Sequence, residues 1–153
     1  YKDSKCSAVV AGTVYTDAVN EGALAVVGPA CSNAAIGAGY LAGPLAPQLP
    51  ATLTSYSATS DVLSDKSSFP YVSRVVGPDQ EQSAALLVLC KQYDWKQIGI
   101  IYEIGEPYNS MSQAMTVQAQ ANQIRVGLVG WTTGTRADIQ QKIQNTWADE
   151  IRI

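Results

Sequence analysis

The sequence predicts an α/β fold in which helices alternate with the strands of a parallel sheet. Three observations lead to this prediction. Short, uninterrupted apolar runs, such as residues 23–27, are typical of strands buried on both faces of a parallel sheet. Between such runs, apolar residues recur at helical spacing, as they do at Val10, Val14 and Ala18. Two of the predicted strands end at a Gly-Pro pair, which is a strong turn signal.

The first predicted helix and the first predicted strand have clear ends. The helix covers residues 7–20, with Ser7 as its candidate N-cap and Gly22 as its stop. The apolar run at 23–27 then forms the strand. Because no polar residue interrupts this run, we expect it to be buried on both faces.

The next segment, up to the middle of the chain, is rich in small residues. A helix is predicted over 32–46, opening at Ser32, although each of its glycines lowers the helix propensity by about 1 kcal/mol relative to alanine. Strands are predicted over 49–56 and 71–76. The polar loop between them, 57–68, is expected to contain one short helical turn.

The second half repeats the alternation more clearly. Asp79 is a candidate N-cap of a helix whose predicted apolar stripe is Leu86, Leu89, Cys90 and Tyr93. The remaining predicted elements are a strand over 96–103, a helix over 109–122, a strand over 124–131 and a helix over 137–150. Both methionines, Trp95 and Trp147 are predicted to be core residues. The Gly-Pro pair at 77–78 either joins two lobes or forms an ordinary turn.

The composition excludes several classes of function. The chain has 46% hydrophobic and only 15% charged residues, which suits a packed core and argues against intrinsic disorder. It has no histidine, so a Ser-His-Asp triad or a histidine-ligated metal is ruled out. A net charge of −3 offers no electrostatic surface for nucleic acid. No cofactor fingerprint and no paired catalytic carboxylates are present, so we predict neither a cofactor, nor a metal, nor an enzyme.

The two ends of the sequence indicate a segment of a longer protein. The polar N-terminal residues 1–5 lack Met and do not form a signal peptide, and the last residues begin a new apolar stretch. No apolar run approaches the roughly 20 residues that a membrane-spanning helix needs.

Several residues with binding chemistry come just after predicted strands. They are Ser32, Ser57, Thr59, Asp79 and Tyr108. In an open α/β sheet, ligands bind beyond the carboxyl ends of the strands. Hydroxyls and helix-start amides suit a carboxylate, and an acid with an aromatic face suits an ammonium group, so this set is typical of a site for a zwitterion.

Simpler interpretations of the same residues stay open at this point. Ser32 and Asp79 are also good helix caps, and Ser57 and Thr59 are also ordinary turn residues. Cys31 is either a nucleophile at a helix start or the disulfide partner of Cys6, the former being weakened by the lack of a histidine base. Cys90 is predicted to be a buried free thiol.

Five stretches of the sequence then resemble one known family in their order along the chain. They are LAVVGPACS at 24–32, LP at 49–50, YSATSDVLSDK at 56–66, FPYVSRVV at 69–76 and DWK at 94–96. They are similar to the ligand-binding region of the atrial natriuretic factor receptor superfamily. This region occurs in metabotropic glutamate, GABA-B and natriuretic peptide receptors and is related to bacterial leucine/isoleucine/valine-binding proteins. The stretch at 56–66 looks closest to the metabotropic glutamate receptors.

The resemblance implies a type I periplasmic-binding-protein-like fold with two doubly wound parallel-sheet lobes, here only partly present. Residues 1–76 would be part of lobe I without the family's first strand and helix, 77–78 the crossover, and 79–153 a truncated part of lobe II. It further implies a disulfide between Cys6 and Cys31, as in the natriuretic peptide and GABA-B branches.

The resemblance also implies roles for the candidate site residues. Ser32 matches the serine that binds the ligand carboxylate, and Ser57, with its neighbour Ala58, matches a position that uses its backbone. Thr59 matches a contact to both carboxylate and ammonium. Asp79 and Tyr108 match the acid and aromatic of the second lobe.

Three departures leave the identity of the ligand open. Asn109 stands where family members often have glycine, and the segment between Ser32 and Ser57 is a few residues longer than in the glutamate receptors. The basic residues that select the ligand side chain lie outside this chain.

The expected function is therefore an extracellular ligand-binding module of a cell-surface receptor, signalling by closure of its two lobes on a small amino-acid-like ligand. Its partners would be that ligand and a dimer or larger membrane-linked assembly. Two alternatives are retained. One is an interaction module without a small-molecule ligand, motivated by the small residues at 34–46. The other is a secreted or periplasmic solute-binding protein.

Overall fold

The structure, a computed structural model, describes residues 2–42, 51–105, 108–131 and 135–150. It is a mixed α/β fold with parallel sheets, which confirms the predicted fold class. The chain divides into two compact units, Tyr1–Pro78 and Asp79–Ile153, called here the first unit and the second unit. Each is described by itself.

The first unit contains a three-stranded parallel sheet with the strand order β1-β2-β3. In chain order its elements are α1 (Ala8–Asn20), β1 (Ala25–Val27), α2 (Ser32–Ala42), β2 (Thr52–Ser55), a 3₁₀ turn (Asp61–Ser64) and β3 (Val72–Arg74). Leu53 of the central strand lies in register with Val26 on one side and Val72 on the other. Because the strands are parallel, their carboxyl ends lie at one edge of the sheet.

The core of the first unit lies where α1, α2 and the sheet meet. Phe69, Leu53 and Leu63 are its largest fully buried apolar side chains. The two helices approach closely, since a methyl group added at Gly37 would lie 2.3 Å from the carbonyl oxygen of Ala8. The small residues of α2 thus allow close packing within the first unit. Positions 43–46 of the predicted helix lie outside the described residues.

The second unit alternates helices and strands throughout. Its elements are α3 (Asp79–Gln92), β4 (Gln97–Glu103), α4 (Tyr108–Ala121), β5 (Arg125–Trp131) and α5 (Arg136–Glu150). The two strands pair in parallel, from Gln97 opposite Arg125 to Glu103 opposite Trp131. A small core joins α3 and α4 to this sheet; it consists of Leu87, Cys90, Met115, Ala119 and Ile124.

Helix starts and turns follow the sequence signals closely. The Ser7 side chain accepts a hydrogen bond from the amide of Val10 and caps α1, as predicted. The short helical turn expected in the loop 57–68 is present. In the second unit, the element bounds agree with the predicted ones to within one residue.

The predicted buried faces were wrong in two helices. In α1 the buried stripe runs through Ala11, Tyr15 and Val19, one residue beyond the predicted stripe, which is half-buried. In α3, Leu87 and Cys90 are buried while Leu86, Leu89 and Tyr93 are exposed. Apolar residues cover more than one face of these helices, so periodicity alone does not select the face that meets the sheet.

Two further predictions about burial need correction. Strand β1 is an edge strand within the described residues, and Val27 is 81% exposed, so this strand is not buried on both faces. Trp95 is half exposed and stacks on Tyr93 with a centroid distance of 5.5 Å, so it is not a core residue. Met115 and Cys90 are buried as predicted, whereas the side chain of Trp147 lies outside the described part.

Candidate functional site

The structure brings together the site residues that were predicted in the first unit. The turn after β1 and the loop after β2 are adjacent, because both leave the same edge of a parallel sheet. The hydroxyl oxygen of Ser32 accepts hydrogen bonds from the amides of Thr59, at 3.1 Å, and Ser60, at 3.2 Å. Residues 57–60 are called the candidate binding loop below.

The turn after β1 directs the chain into α2. Gly28 has a φ of +117°, a backbone conformation that only glycine adopts readily, and its amide donates to the carbonyl of Thr54 on β2. The carbonyl of Cys31 accepts the amide of Ala35, which begins the helical hydrogen bonding. Ser32 is the first residue of α2, and its hydroxyl oxygen serves the neighbouring loop.

Sequence reasoning missed a second serine that holds the candidate binding loop. Ser55, the last residue of β2, is fully buried, and its hydroxyl donates to the carbonyl of Pro29 at 2.6 Å. Its oxygen accepts the amides of Ala58, at 3.0 Å, and Ser57, at 3.4 Å. The signal was present in the sequence, since Ser55 lies two residues after Leu53 and so shares its buried face.

Sequence reasoning also missed Arg74, the last residue of β3. Its guanidinium donates to the carbonyl of Ser60, at 2.7 Å, and to the hydroxyl of Ser64. Lys66 donates from its ammonium to the carbonyl of Val72, at 2.6 Å. Arg74 therefore fixes the end of the candidate binding loop to β3, and Lys66 fixes the segment that follows it, through charged donors, which form stronger hydrogen bonds than neutral ones.

The side chains of the candidate binding loop differ in their exposure. Ser57 is exposed, Ala58 is fully buried and Thr59 is half-buried. The hydroxyls of Ser57 and Thr59 make no hydrogen bond within the described part of the chain, and each is both a donor and an acceptor. The loop thus presents two available hydroxyls on a backbone that is fixed from beneath. This arrangement can bind a carboxylate or another small polar group.

Ser32 is buried, with only 3% of its surface exposed to solvent. Its two hydrogen bonds use the acceptor capacity of its oxygen, while its hydroxyl hydrogen has no acceptor among the described residues. The first role of Ser32 is therefore to hold Thr59 and Ser60. The simpler interpretation, in which Ser32 only caps its own helix, does not describe these contacts.

The other two predicted site residues belong to the second unit. Asp79 is the first residue of α3 and is 2% exposed, and its backbone carbonyl accepts the Ser83 hydroxyl at 3.0 Å. Tyr108 is the first residue of α4 and is 48% exposed. Each lies at a helix N-terminus, where the partial positive charge of the helix favours a carboxylate such as that of Asp79.

A disulfide joins Cys6 to Cys31, with their α-carbons 5.4 Å apart. The pairing that the resemblance implied is therefore present. Cys31 carries no thiol in this state, which removes the interpretation of Cys31 as a nucleophile. The disulfide attaches the N-terminal segment to the residue before Ser32. Cys90 is a buried free cysteine, as predicted.

A groove of the first unit lies away from the candidate site. Its volume is about 820 Å³, and it is bounded by α1, the open edge of β1 and the disulfide-linked N-terminal segment. Val14, Ala18 and Val26 line it, together with Tyr56, but none of the predicted ligand residues does. The candidate site is therefore a surface of hydroxyls at the end of the sheet, separate from this apolar groove.

Two general properties limit what the described part of the chain can do. Among the residues described, no three His, Cys, Asp or Glu side chains are grouped closely enough to hold a metal ion. Every helix within the same ranges is too short or too polar to cross a lipid bilayer.

Comparison with known proteins gives a family. The whole chain, residues 1–153, matches the family described as "Receptor family ligand binding region". A G-protein coupled receptor of family C, group 6 member A, from Carassius auratus is 32% identical over 119 residues, which are 77% of this chain and 13% of that protein. The human gamma-aminobutyric acid type B receptor subunit 2 is 34% identical over 62 residues, which are 40% of this chain and 7% of that protein.

These matches confirm the family that the sequence motifs indicated. The relatives are much longer, and the chain spans 13% or less of the length of each. The family consists of receptor ligand-binding regions, and one relative is a class C receptor by name. The chain therefore belongs to the family of receptor ligand-binding regions.

Proposed function

We propose that this chain contributes to an extracellular receptor module that binds a small amino-acid-like ligand and signals by lobe closure. The observation that carries the proposal is the candidate binding loop, whose Ser57 and Thr59 hydroxyls are available on a backbone fixed by Ser32 and Ser55. Hydroxyl donors of this kind suit the carboxylate of an amino acid.

The two units would be parts of the two lobes, with the crossover at 77–78. Asp79 and Tyr108 would then supply an acid and an aromatic face for the ligand ammonium from the second lobe. Closure would be driven by the extra affinity of the ligand for the closed state, because a ligand shifts an equilibrium only through such a difference. As a binding module the chain would have no catalytic role.

The proposed location is the extracellular side of a membrane-linked receptor. The Cys6–Cys31 disulfide supports an oxidising compartment, and such bonds are rare in cytosolic proteins. A soluble solute-binding protein in the periplasm or outside the cell would meet the same condition. A membrane-spanning segment in the complete protein would support the receptor, and its absence would support the solute-binding protein.

The test is isothermal titration calorimetry on the complete ligand-binding region that contains this chain. The probes are the common L-amino acids and γ-aminobutyrate, the latter because a relative's name includes it. We expect one probe to bind and Thr59→Ala to weaken it about tenfold, the effect of losing roughly one hydrogen bond.

The matched control is Thr13→Ala, because Thr13 is an exposed threonine of α1 whose hydroxyl bonds only the carbonyl of Val9. This variant should bind like the wild type. Absence of heat with every probe, or equal affinity of the Thr59→Ala variant, would contradict the proposal.

A second candidate function is an interaction module in a receptor assembly. The small residues of α2, which are the described part of the segment that first suggested it, pack inside the first unit and no longer support it. One observation does favour it: Val9 and Tyr40, on the outer faces of α1 and α2, are 80% and 51% exposed beside a groove of about 460 Å³. Loss of receptor subunit association in a Tyr40→Asp variant, with ligand binding unchanged, would support this function.

A further inference from the structure

We infer that Ser55 is the positioning residue of the candidate binding loop, acting on a ligand only through the backbone. Its effect on a ligand depends on the proposed function, whereas its effect on the loop does not. Ser55 ends β2 and has no exposed surface. No small ligand can reach its side chain without moving the loop.

Two buried serines divide the amides of the loop between them. The amides of Ser57 and Ala58 point to the oxygen of Ser55, and the next two amides point to the oxygen of Ser32. Four consecutive backbone donors are thus directed inward. The hydroxyls of Ser57 and Thr59 are left as the outward-facing donors of this segment.

Ser55 differs from Ser32 in how its hydroxyl is used. A serine hydroxyl offers one donor and two acceptor positions. Ser55 uses all three, because it also donates to the carbonyl of Pro29 in the turn after β1. It therefore connects the two chain segments that leave the sheet. Ser32 keeps its hydroxyl hydrogen, so of these two buried serines Ser32 is the one that retains a donor for a ligand.

Removal of the Ser55 hydroxyl leaves three backbone groups without this partner, and of the three hydrogen bonds lost, the one from Ala58 is buried and the other two are partly buried. Buried amides and carbonyls without partners are unfavourable, so the loop is expected to open towards water. Ser57 and Thr59 then lose their fixed positions. Binding of any ligand that uses both hydroxyls weakens, although neither side chain has been changed.

The test measures amide hydrogen exchange by NMR in the complete ligand-binding region, comparing Ser55→Ala with the wild type. We expect the amides of Ser57 and Ala58 to exchange at least about tenfold faster, as loss of one hydrogen bond implies. The matched control is Tyr15→Phe. It removes another buried hydroxyl of the same unit, one that donates to the carbonyl of Ala51 at the same distance of 2.6 Å.

The control should leave exchange in the loop unchanged even where it lowers stability. Equal exchange of the Ser57 and Ala58 amides in Ser55→Ala and Tyr15→Phe overturns the inference. Where Ser55→Ala does not fold, Ser55→Cys replaces it, since sulfur fills a similar volume and is a weaker hydrogen-bonding group. It should give a smaller acceleration of the same two amides, and no acceleration overturns the inference.

Calorimetry with L-glutamate and γ-aminobutyrate separates this inference from the proposed function. Where a probe binds the wild type, Ser55→Ala should weaken it about tenfold, and Tyr15→Phe should not. Where neither probe binds but the two amides exchange faster, the positioning of the loop is supported and the ligand proposal loses support. Unchanged affinity for a probe that binds the wild type overturns the positioning role.

Discussion

The two units of this chain differ most in how their cores support the residues at the end of the sheet. In the described part of the first unit, thirteen buried hydrophobic residues form one cluster, and the loop after β2 is fixed by serine hydroxyls and an arginine. The corresponding cluster of the second unit has five buried residues. Its candidate residues, Asp79 and Tyr108, lie at the first positions of helices.

This difference shows two ways of placing polar groups after a parallel strand. In the first unit the backbone of a loop is held by buried side chains, so its position depends on tertiary contacts. In the second unit each residue is held by the helix that it begins. Changes in the core should therefore disturb the first site more than the second.

The largest effect is expected for Phe69→Ala in the first unit. Phe69 is 1% exposed, and its ring lies 4.8 Å from that of Tyr40. Its loss should reduce the free energy of unfolding by about 3–5 kcal/mol, through lost burial and a cavity. The counterpart in the second unit, Met115→Ala, should cost about 2 kcal/mol because Met115 is less buried. Urea denaturation measures the free energy of unfolding of both variants. An equal loss in the two would contradict the stated difference between the two cores.

Removal of the disulfide should have the next largest effect. The double variant Cys6→Ser with Cys31→Ser opens a loop of sequence separation 25, which should cost about 3 kcal/mol in the chain-entropy model. Denaturation with and without dithiothreitol measures the cost. The reductant should destabilise the wild type and leave the double variant unchanged.

The control for the disulfide is Cys90→Ala, which removes the buried thiol of the second unit. It should cost only about 1 kcal/mol, typical of a single substitution, and should not alter the response to reductant. Wild-type stability of the double variant would contradict a stabilising role for the bond.

The close approach of α1 and α2 is tested by Gly37→Ala. Alanine is the better helix former, but here its methyl group would meet the backbone of Ala8 at 2.3 Å. We expect a net loss of about 1–3 kcal/mol in unfolding free energy, as found for overpacked cores.

Gly12→Ala is the matched control for the same helix pair. Its added methyl would lie 3.1 Å from the tip of the Leu41 side chain, which can move aside, and 3.8 Å from the carbonyl oxygen of Gly37, an ordinary contact distance. It should remain within about 1 kcal/mol of the wild type. Equal stability of the two variants in thermal denaturation would show that α1 and α2 can separate at little cost.

The smallest effect is a pH dependence, and it occurs in both units. Hydrogen bonds from Ser67 and Ser68 lower the pKa of Asp65 from 3.8 to about 2. In the second unit, the backbone amide and then the hydroxyl of Thr135 lower the pKa of Asp138. For Asp65 the charged carboxylate therefore stabilises the folded state above pH 4, and this contribution is lost as the pH falls towards 2. The contribution of Asp138 has the same sign and is also lost on acidification.

Carboxyl chemical shifts recorded by NMR against pH measure both groups. Ser67→Ala should return the pKa of Asp65 towards 3.8 and leave Asp138 unchanged. Both carboxylates are exposed, so the accompanying change in stability should be small. An Asp65 that titrates normally in the wild type would show that its serine contacts do not persist in solution.

Much of the secondary structure could be predicted from local patterns. Ser7 marked the start of α1, and the alternation in the second half marked each of its elements. The orientation of the helices could not be predicted, since Leu86 and Leu87 of α3 are equally apolar and only contact with the sheet distinguishes them. The exposure of Trp95 could not be predicted either, because it too depends on tertiary contacts.

The residues of the candidate site also differ in whether the sequence could indicate them. Ser32, Ser57 and Thr59 could be found from the sequence because they follow strands and carry hydroxyls. The spacing of Ser55 to Leu53 indicated its burial, but the partners of Ser55 and the Ser60 carbonyl that Arg74 binds are backbone groups, which every residue has and no sequence pattern distinguishes.

The sequence by itself determined the α/β class, the family and the residues with binding chemistry, because these depend on residue type and on spacing along the chain. Only the tertiary structure decided which oxygen each loop amide contacts and which helix face is buried. The hydrogen bonds from Ser55 to Pro29 and from the amides of Thr59 and Ser60 to Ser32 join residues that lie 26 to 28 positions apart. A strand register fixes such pairs, and that register exists only once the sheet has formed.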